Sequence, residues 1–124
     1  MHVPANLRYS ADHEWVRVIS GDCARIGITD YAQDALGEVV FVEVPQMGAR
    51  VEAGSMFGEV ESTKSVSELF APVTGEVVAV NEDLEAAPGK VNDDPYGEGW
   101  ICEVSVESEG ELMDAAAYQA LIED

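Results

Sequence analysis

FGEVESTKSVSELF, Phe57 to Phe70, reads as two strands that meet at a tip. Strand-forming residues approach from Phe57 and leave towards Phe70, which places Lys64 at the turn of a hairpin. Alternation across this hairpin is imperfect, and Val60, Val66 and Leu69 are the expected inward residues. Lys64 is one of two lysines in a chain with 25 acidic residues. Its immediate flanks, Thr63 and Ser65, are small and uncharged, so another protein's active site could close over the amine. Taken alone, a hairpin-tip lysine is an ordinary solvated side chain, because lysine is almost never fully buried. Lys90, after Pro88 and Gly89, is a loop lysine without that placement between strands.

Working outward, the same grammar of short strands and turns continues. Trp15–Ile19, Cys23–Ile28 and Val39–Val44 are rich in β-branched and aromatic residues. In GEVVFVEVP, Val40, Val42 and Val44 share one face and Val39 and Phe41 the other, which predicts a strand buried on both faces. TDYAQDALG predicts a short helix: Thr29 is the N-cap, Ala32, Ala35 and Leu36 share a face, and Gly37 ends it. Gly48–Ser62 reads as turn, strand, glycine turn, strand. Ser67–Leu84 reads as strand, proline bend, glycine turn, strand, with Val73, Val77, Val78 and Val80 as its apolar content. AAPGKVNDDPYGEGW, Ala86 to Trp100, is dense in turn residues and predicts irregular structure. ICEVSV returns to alternation, with Cys102, Val104 and Val106 on one face. Leu112, Met113, Ala116, Ala117, Ala120 and Leu121 recur at helical spacing, and Asp114 can cap a helix there. The aromatics Trp15, Phe41, Phe57, Phe70, Tyr96 and Trp100 could line a cleft, with core packing the expected fate of most. Together these readings predict a mainly β fold, a small sandwich or flattened barrel with helical trim near Thr29–Leu36 and at the C-terminus.

The 124 residues fit one domain, 1–124, and the 47% hydrophobic content fits a globular chain. No apolar run approaches the ~20 residues that span a bilayer. The start, MHVPANLRYS, has neither a basic beginning nor a hydrophobic stretch, and it is not rich in Arg or Ser, so a cytoplasmic protein is expected. A net charge of −19 repels nucleic acid and anionic lipid and favours docking on basic surfaces. Cys23 and Cys102 stand far apart, which excludes a disulfide framework or CxxC zinc site and predicts buried, reduced thiols. His2 and His13 are the histidines, and no nucleophile motif accompanies them. The oxygen cluster at Asn92–Asp94 lacks the EF-hand pattern and reads as a turn, so no metal site is expected. No glycine-rich phosphate loop is present. The sequence offers no catalytic machinery of its own.

Five blocks nevertheless carry a resemblance. HEWVRV (His13–Val18), GITDYAQDALGEVVFVEVP (Gly27–Pro45), FGEVESTKSVSELFAPVTGEVVAVN (Phe57–Asn81), VNDDPYGEGW (Val91–Trp100) and DAAAYQALI (Asp114–Ile122) occur in order over nearly the whole chain. In that order they resemble the H proteins of the glycine cleavage system, a family of lipoyl-bearing carriers. The resemblance implies a lipoyl/biotinyl-type flattened barrel-sandwich of two small antiparallel sheets. It implies lipoic acid in amide linkage on Lys64, within an E-S-x-K-x-x-S block whose Glu61, Ser62 and Ser67 match. The family commonly has Ala after the lysine and Asp at position 68, where this chain has Ser65 and Glu68.

The implied function is that of a non-catalytic carrier. It shuttles an aminomethyl group from the decarboxylating glycine dehydrogenase (P protein) to the aminomethyltransferase (T protein), and dihydrolipoyl dehydrogenase (L protein) reoxidises it. A lipoate ligase or lipoyl transferase would attach the group. The resemblance further implies a cleft for the loaded arm at Glu14, Glu68 and Asp12, where carboxylates favour a protonated amine. Asp12 occupies a position commonly Ser or another small polar residue. Rival readings are a biotinyl carrier, whose lysine usually has Met on both sides, and a 2-oxoacid dehydrogenase lipoyl domain, with an Asp-Lys-Ala tip. Two more are a lipoyl donor to other complexes and an acidic interaction module with an unmodified Lys64.

Overall fold

A computed structural model describes residues 1–123. Nine strands form two antiparallel sheets. The larger uses β1 (Arg8–Tyr9), β2 (Glu14–Ser20), β3 (Cys23–Ile28), β5 (Arg50–Val51), β8 (Val73–Val80) and β9 (Cys102–Glu109), in the order β1-β2-β3-β9-β8-β5. The smaller is β4 (Val39–Glu43), β6 (Met56–Ser62) and β7 (Val66–Phe70), in the order β4-β6-β7. Val16, Ile26, Val77 and Val104 from the larger sheet pack with Val42, Val60 and Leu69 from the smaller, so the main core lies between them. A second core of Leu7, Tyr9, Trp15, Tyr96 and Tyr118 is built around the other side of β2.

Four helices trim the sheets: α1 (Asp30–Leu36), α2 (Asp83–Ala86), α3 (Lys90–Asp93) and α4 (Ala115–Ile122). Both expected caps are made, with Thr29 Oγ1 accepting the Ala32 N–H at 3.2 Å and Asp114 Oδ1 accepting the Ala117 N–H at 2.9 Å. Gly37 ends α1 with φ 81° and ψ −154°, a region that favours glycine.

Several expectations fail for identifiable reasons. β4 is not buried on both faces: a bulge between Val39 and Phe41 turns Val39 and Val42 inward and leaves Val40 and Phe41 exposed, Phe41 by 49%. Val60 and Leu69 face the core as expected, but Val66 is 57% exposed, paired with outward-facing Glu61 at the hairpin end. Gly75 is no turn; it lies inside β8 at a bulge, where a Cβ would run into the Ser105 carbonyl. Ala86–Trp100 contains α3 and not only irregular chain, because Val91 is fully buried and Asn92 is tied to α1. α4 turns Ala115, Tyr118 and Ile122 inward, while Ala116, Ala117, Ala120 and Leu121 are exposed. Cys102 is buried, and Cys23 is half-buried. Among the described residues no helix is long and apolar enough to cross a membrane.

Candidate functional site

The β6–β7 tip is held by one side chain. Ser62 Oγ accepts the Lys64 and Ser65 N–H groups, each at 3.1 Å, and donates to the Ser65 carbonyl at 3.2 Å. The Ser62 N–H donates to the same carbonyl at 2.8 Å, and the Thr63 N–H reaches the Glu38 carbonyl at 3.0 Å. The turn is thereby fastened both to itself and to the chain just after α1. Lys64 is exposed and, among the described residues, makes no ion pair. Its side chain crosses Gly37, where an added Cβ would lie 2.9 Å from Lys64 Cε. A bare backbone here gives the lysine its path.

Beside the tip lies a cleft of about 310 Å³. Ala32, Ala35 and Leu36 of α1 form one wall, Ser65 to Leu69 the other, and Asp12, His13 and Glu14 close one end. The α1 wall is apolar, the hairpin wall alternates Val66 and Leu69 with Ser65, Ser67 and Glu68, and the end formed by Asp12, His13 and Glu14 is polar. An extended aliphatic arm with a charged or hydrogen-bonding tip fits such a lining, and Lys64 stands next to Ser65 at the margin.

Glu14 is 1% exposed although it is a carboxylic acid. Ser10 Oγ donates to Oε1 at 2.7 Å, and the Phe70 N–H reaches Oε2 at 3.3 Å. Burial pushes its pKa up to about 8, against the opposing pull of those two hydrogen bonds. Asp12 and Glu68 line the same cleft but are exposed. His13 is half-buried and bends the chain into Glu14 with φ 72°, the one positive φ at a non-glycine among the described residues. Burial lowers its pKa, with nearby Asp12 opposing.

The structure therefore gathers Asp12, Glu14, Ser67 and Glu68 around one cleft. Ser62 shapes the tip without lining the cleft, and Glu61 lies outside it, opposite Phe41 and Val66. None of the six aromatics weighed from the sequence lines it. Trp15 and Tyr96 are buried in the second core, and Phe57, Phe70 and Trp100 are half-buried elsewhere. Among the described residues no cluster of His, Cys, Asp and Glu is suited to a metal ion.

The family model described as glycine cleavage H-protein matches residues 7–124. The chain belongs to the glycine cleavage H-protein family. It is 60% identical over 121 residues to a glycine cleavage system H protein of Corynebacterium jeikeium, covering 95% of each chain. It is 56% identical over 126 residues to one of Mycolicibacterium smegmatis, covering 97% of this chain and 96% of that one. A crystal structure of a glycine cleavage system H protein from Mycobacterium marinum superposes with a TM-score of 0.93 at 42% identity, over 98% of this chain and 100% of that one. The two antiparallel sheets with short helices are the barrel-sandwich fold of this H-protein family.

Sequence reasoning missed His13, Tyr31 and Ser10 as parts of this H-protein cleft and its support. The shared face of Ala32, Ala35 and Leu36 was a usable signal, since a helical face that covers a sheet end is also a wall. Nothing in the residue pattern announces a histidine in a left-handed turn.

Proposed function

We propose that this chain is a non-catalytic lipoyl carrier of the glycine cleavage system, one domain spanning residues 1–124, with lipoic acid in amide linkage on Lys64. It passes the aminomethyl group from the decarboxylating glycine dehydrogenase to the aminomethyltransferase, and dihydrolipoyl dehydrogenase reoxidises it. A lipoate ligase or lipoyl transferase attaches the group, in the cytoplasm. When attached, the lipoyl group supplies the dithiol chemistry that accepts the one-carbon unit and the electrons.

The observation that carries this reading is a lysine without an ion pair among the described residues, on a hydrogen-bonded tip beside a cleft that ends at a buried carboxyl. A firm tip lets the amine be presented without moving the scaffold. The apolar α1 wall suits the hydrocarbon of the arm. Burial favours the uncharged form of Glu14, and a cation at its oxygens favours ionisation, so negative charge develops where a cation arrives. Asp12 and Glu68 on the rim add to that preference.

Charge supports the partner assignment. Glu59 on β6 stands directly opposite both Glu43 on β4 and Glu68 on β7. Like charges in register destabilise a sheet by tenths of a kcal/mol, about 0.2–1 for a pair of this kind. A basic enzyme surface covering this row would relieve that repulsion.

Intact-mass measurement of protein from its native host tests the proposal. The expected result is a mass increase of one lipoyl group that disappears in Lys64→Arg, with the far-ultraviolet circular dichroism unchanged. Glycine cleavage should vanish with it. Activity retained by Lys64→Arg, or a bare Lys64 in functioning native protein, would refute the assignment.

A further inference from the structure

The polar end of the cleft is backed by a hydrogen-bonded chain that attachment at Lys64 does not require. Tyr118 on α4 is fully buried, with its hydroxyl 2.8 Å from His13 Nδ1 and 2.7 Å from Thr29 Oγ1. Thr29 is 0% exposed, and its oxygen already accepts the Ala32 N–H. Counting protons fixes the direction of the chain. Among the described residues the Thr29 hydroxyl has no acceptor other than the Tyr118 oxygen, so it donates there. Tyr118, protonated because burial pushes its pKa up to about 12, then gives its own proton to His13 Nδ1. The reverse direction, with Nδ1–H donating to Tyr118 and Tyr118 to Thr29, would leave a hydroxyl proton stranded in the core.

The neutral ring consequently carries its proton on Nε2. That nitrogen has no hydrogen-bond partner among the described residues, yet it is not a buried unpaired atom, so it is accessible to solvent, and His13 is one of the residues that line the cleft. Tyr31 holds the ring's other flank, with centroids 4.8 Å apart.

We propose that Thr29 and Tyr118 are positioning residues that keep the His13 ring neutral and protonated on Nε2, so that the cleft receives a cationic arm end without a competing imidazolium. The cationic ligand rests on the carrier reading; the state of the ring does not. Asp12 and Glu14 adjoin His13 on its own segment, Tyr31 faces it from α1, Tyr118 from α4, and Glu68 lies across the cleft on β7. The exposed carboxylates favour an imidazolium that would repel an ammonium. Donation from Tyr118 works against them, because a proton on Nδ1 would have to displace it. The lowering of the His13 pKa by burial acts in the same sense.

Nitrogen-15 NMR of the unmodified chain reads the ring directly. The expected spectrum from pH 6 to 8 shows Nε2 protonated and Nδ1 bare. Tyr118→Phe should give mixed tautomers and move the His13 titration upward, with circular dichroism confirming the fold. In the lipoylated carrier, the same variant should lose the one-carbon unit several-fold faster at pH 6 than at pH 8, while the native chain changes little. If Tyr118→Phe does not fold, the native spectrum still decides the tautomer. A native His13 protonated on Nδ1 or charged at pH 7 overturns the proposal, as does a folded variant that retains the unit as well as the native chain at pH 6. Failure of the carrier reading would appear separately, as a native chain that takes up no one-carbon unit while its ring spectrum is as expected.

Discussion

Replacing Glu14 with glutamine isolates the energetic cost of the acid at the end of the cleft. Burial raises its pKa from 4.5 to about 8, so the native chain binds that proton more tightly than the unfolded chain does. Below about pH 4.5 both states are protonated and Glu14 costs nothing. Between pH 4.5 and about 8 the unfolded chain ionises while the native chain does not, and stability falls by about 1.4 kcal/mol per pH unit. Above that window the loss levels off at roughly 5 kcal/mol, an upper bound because water and side chains can adjust. Glutamine is free of this cost, and it fits the contacts. Its carbonyl can accept from the Phe70 N–H, and its amide can donate to Ser10 Oγ once that hydroxyl, the donor in the native contact, turns its proton aside, a change that does not depend on pH.

The difference in unfolding free energy between Glu14→Gln and the native chain should therefore grow with pH. It is expected to stay below about 1 kcal/mol at pH 5 and to reach about 3 kcal/mol at pH 7, still rising towards pH 8. Urea titrations at fixed ionic strength measure it. The same variant should hold the one-carbon unit for less time, because no carboxylate can form beside the cation. A stability difference independent of pH would show that native Glu14 is already charged at neutrality, and the argument for charge that develops with the ligand would be refuted.

Gly27→Ala should destabilise the fold by about 2–3 kcal/mol through overpacking, since its Cβ would lie 2.6 Å from the indole of Trp15, which is 0% exposed and anchored by Nε1 to the Pro95 carbonyl at 2.9 Å. Thermal melts check this, and an unchanged Tm would mean the indole can move aside. Ser62→Ala removes the acceptor for two tip N–H groups and should cost about 1 kcal/mol. It should also slow lipoate attachment, followed as a mass time course with a ligase; an unaltered rate would show that tip rigidity is not recognised.

The parts of the fold legible in the sequence were those governed by local signals. Thr29 and Asp114 cap helices whatever lies beyond them, and the Phe57–Phe70 hairpin follows from strand-forming residues on both sides of its tip. Apart from Val66 at the hairpin end, the failures depended on distant partners. The bulge that turns Phe41 outward is set by pairing with β6, and the inward face of α4 by the pocket that receives Tyr118. Gly75 reads locally as a turn, yet it lies within a strand because β9 crosses too closely for a side chain. In the site, Lys64 stood out by its isolation, and Glu14 was reached through the family resemblance. Its burial was not legible, because Ser10, Phe70 and the smaller sheet shut out water only once the chain is folded.

The costly features of this molecule collect around the cleft. Glu14 is a buried acid and His13 adopts φ 72°, while Gly37, under the lysine itself, holds a conformation that glycine takes without strain and other residues resist. The strained His13 backbone costs on the order of 1–3 kcal/mol and, like the larger cost of the buried acid, persists only where the surroundings over-determine it. The second core does this for the Ser10–Glu14 turn. Tyr9 pairs with Trp15 across β1 and β2, exchanges backbone hydrogen bonds of 2.9 and 2.8 Å with Met113, and stacks on Tyr118 at 4.7 Å. The turn is thus clamped from the strand before it and from the C-terminal helix, far from the main core in sequence. The small second core is better understood as the support of the cleft than as added stability, because its aromatic contacts converge on the residues that a lone hairpin would not hold in place.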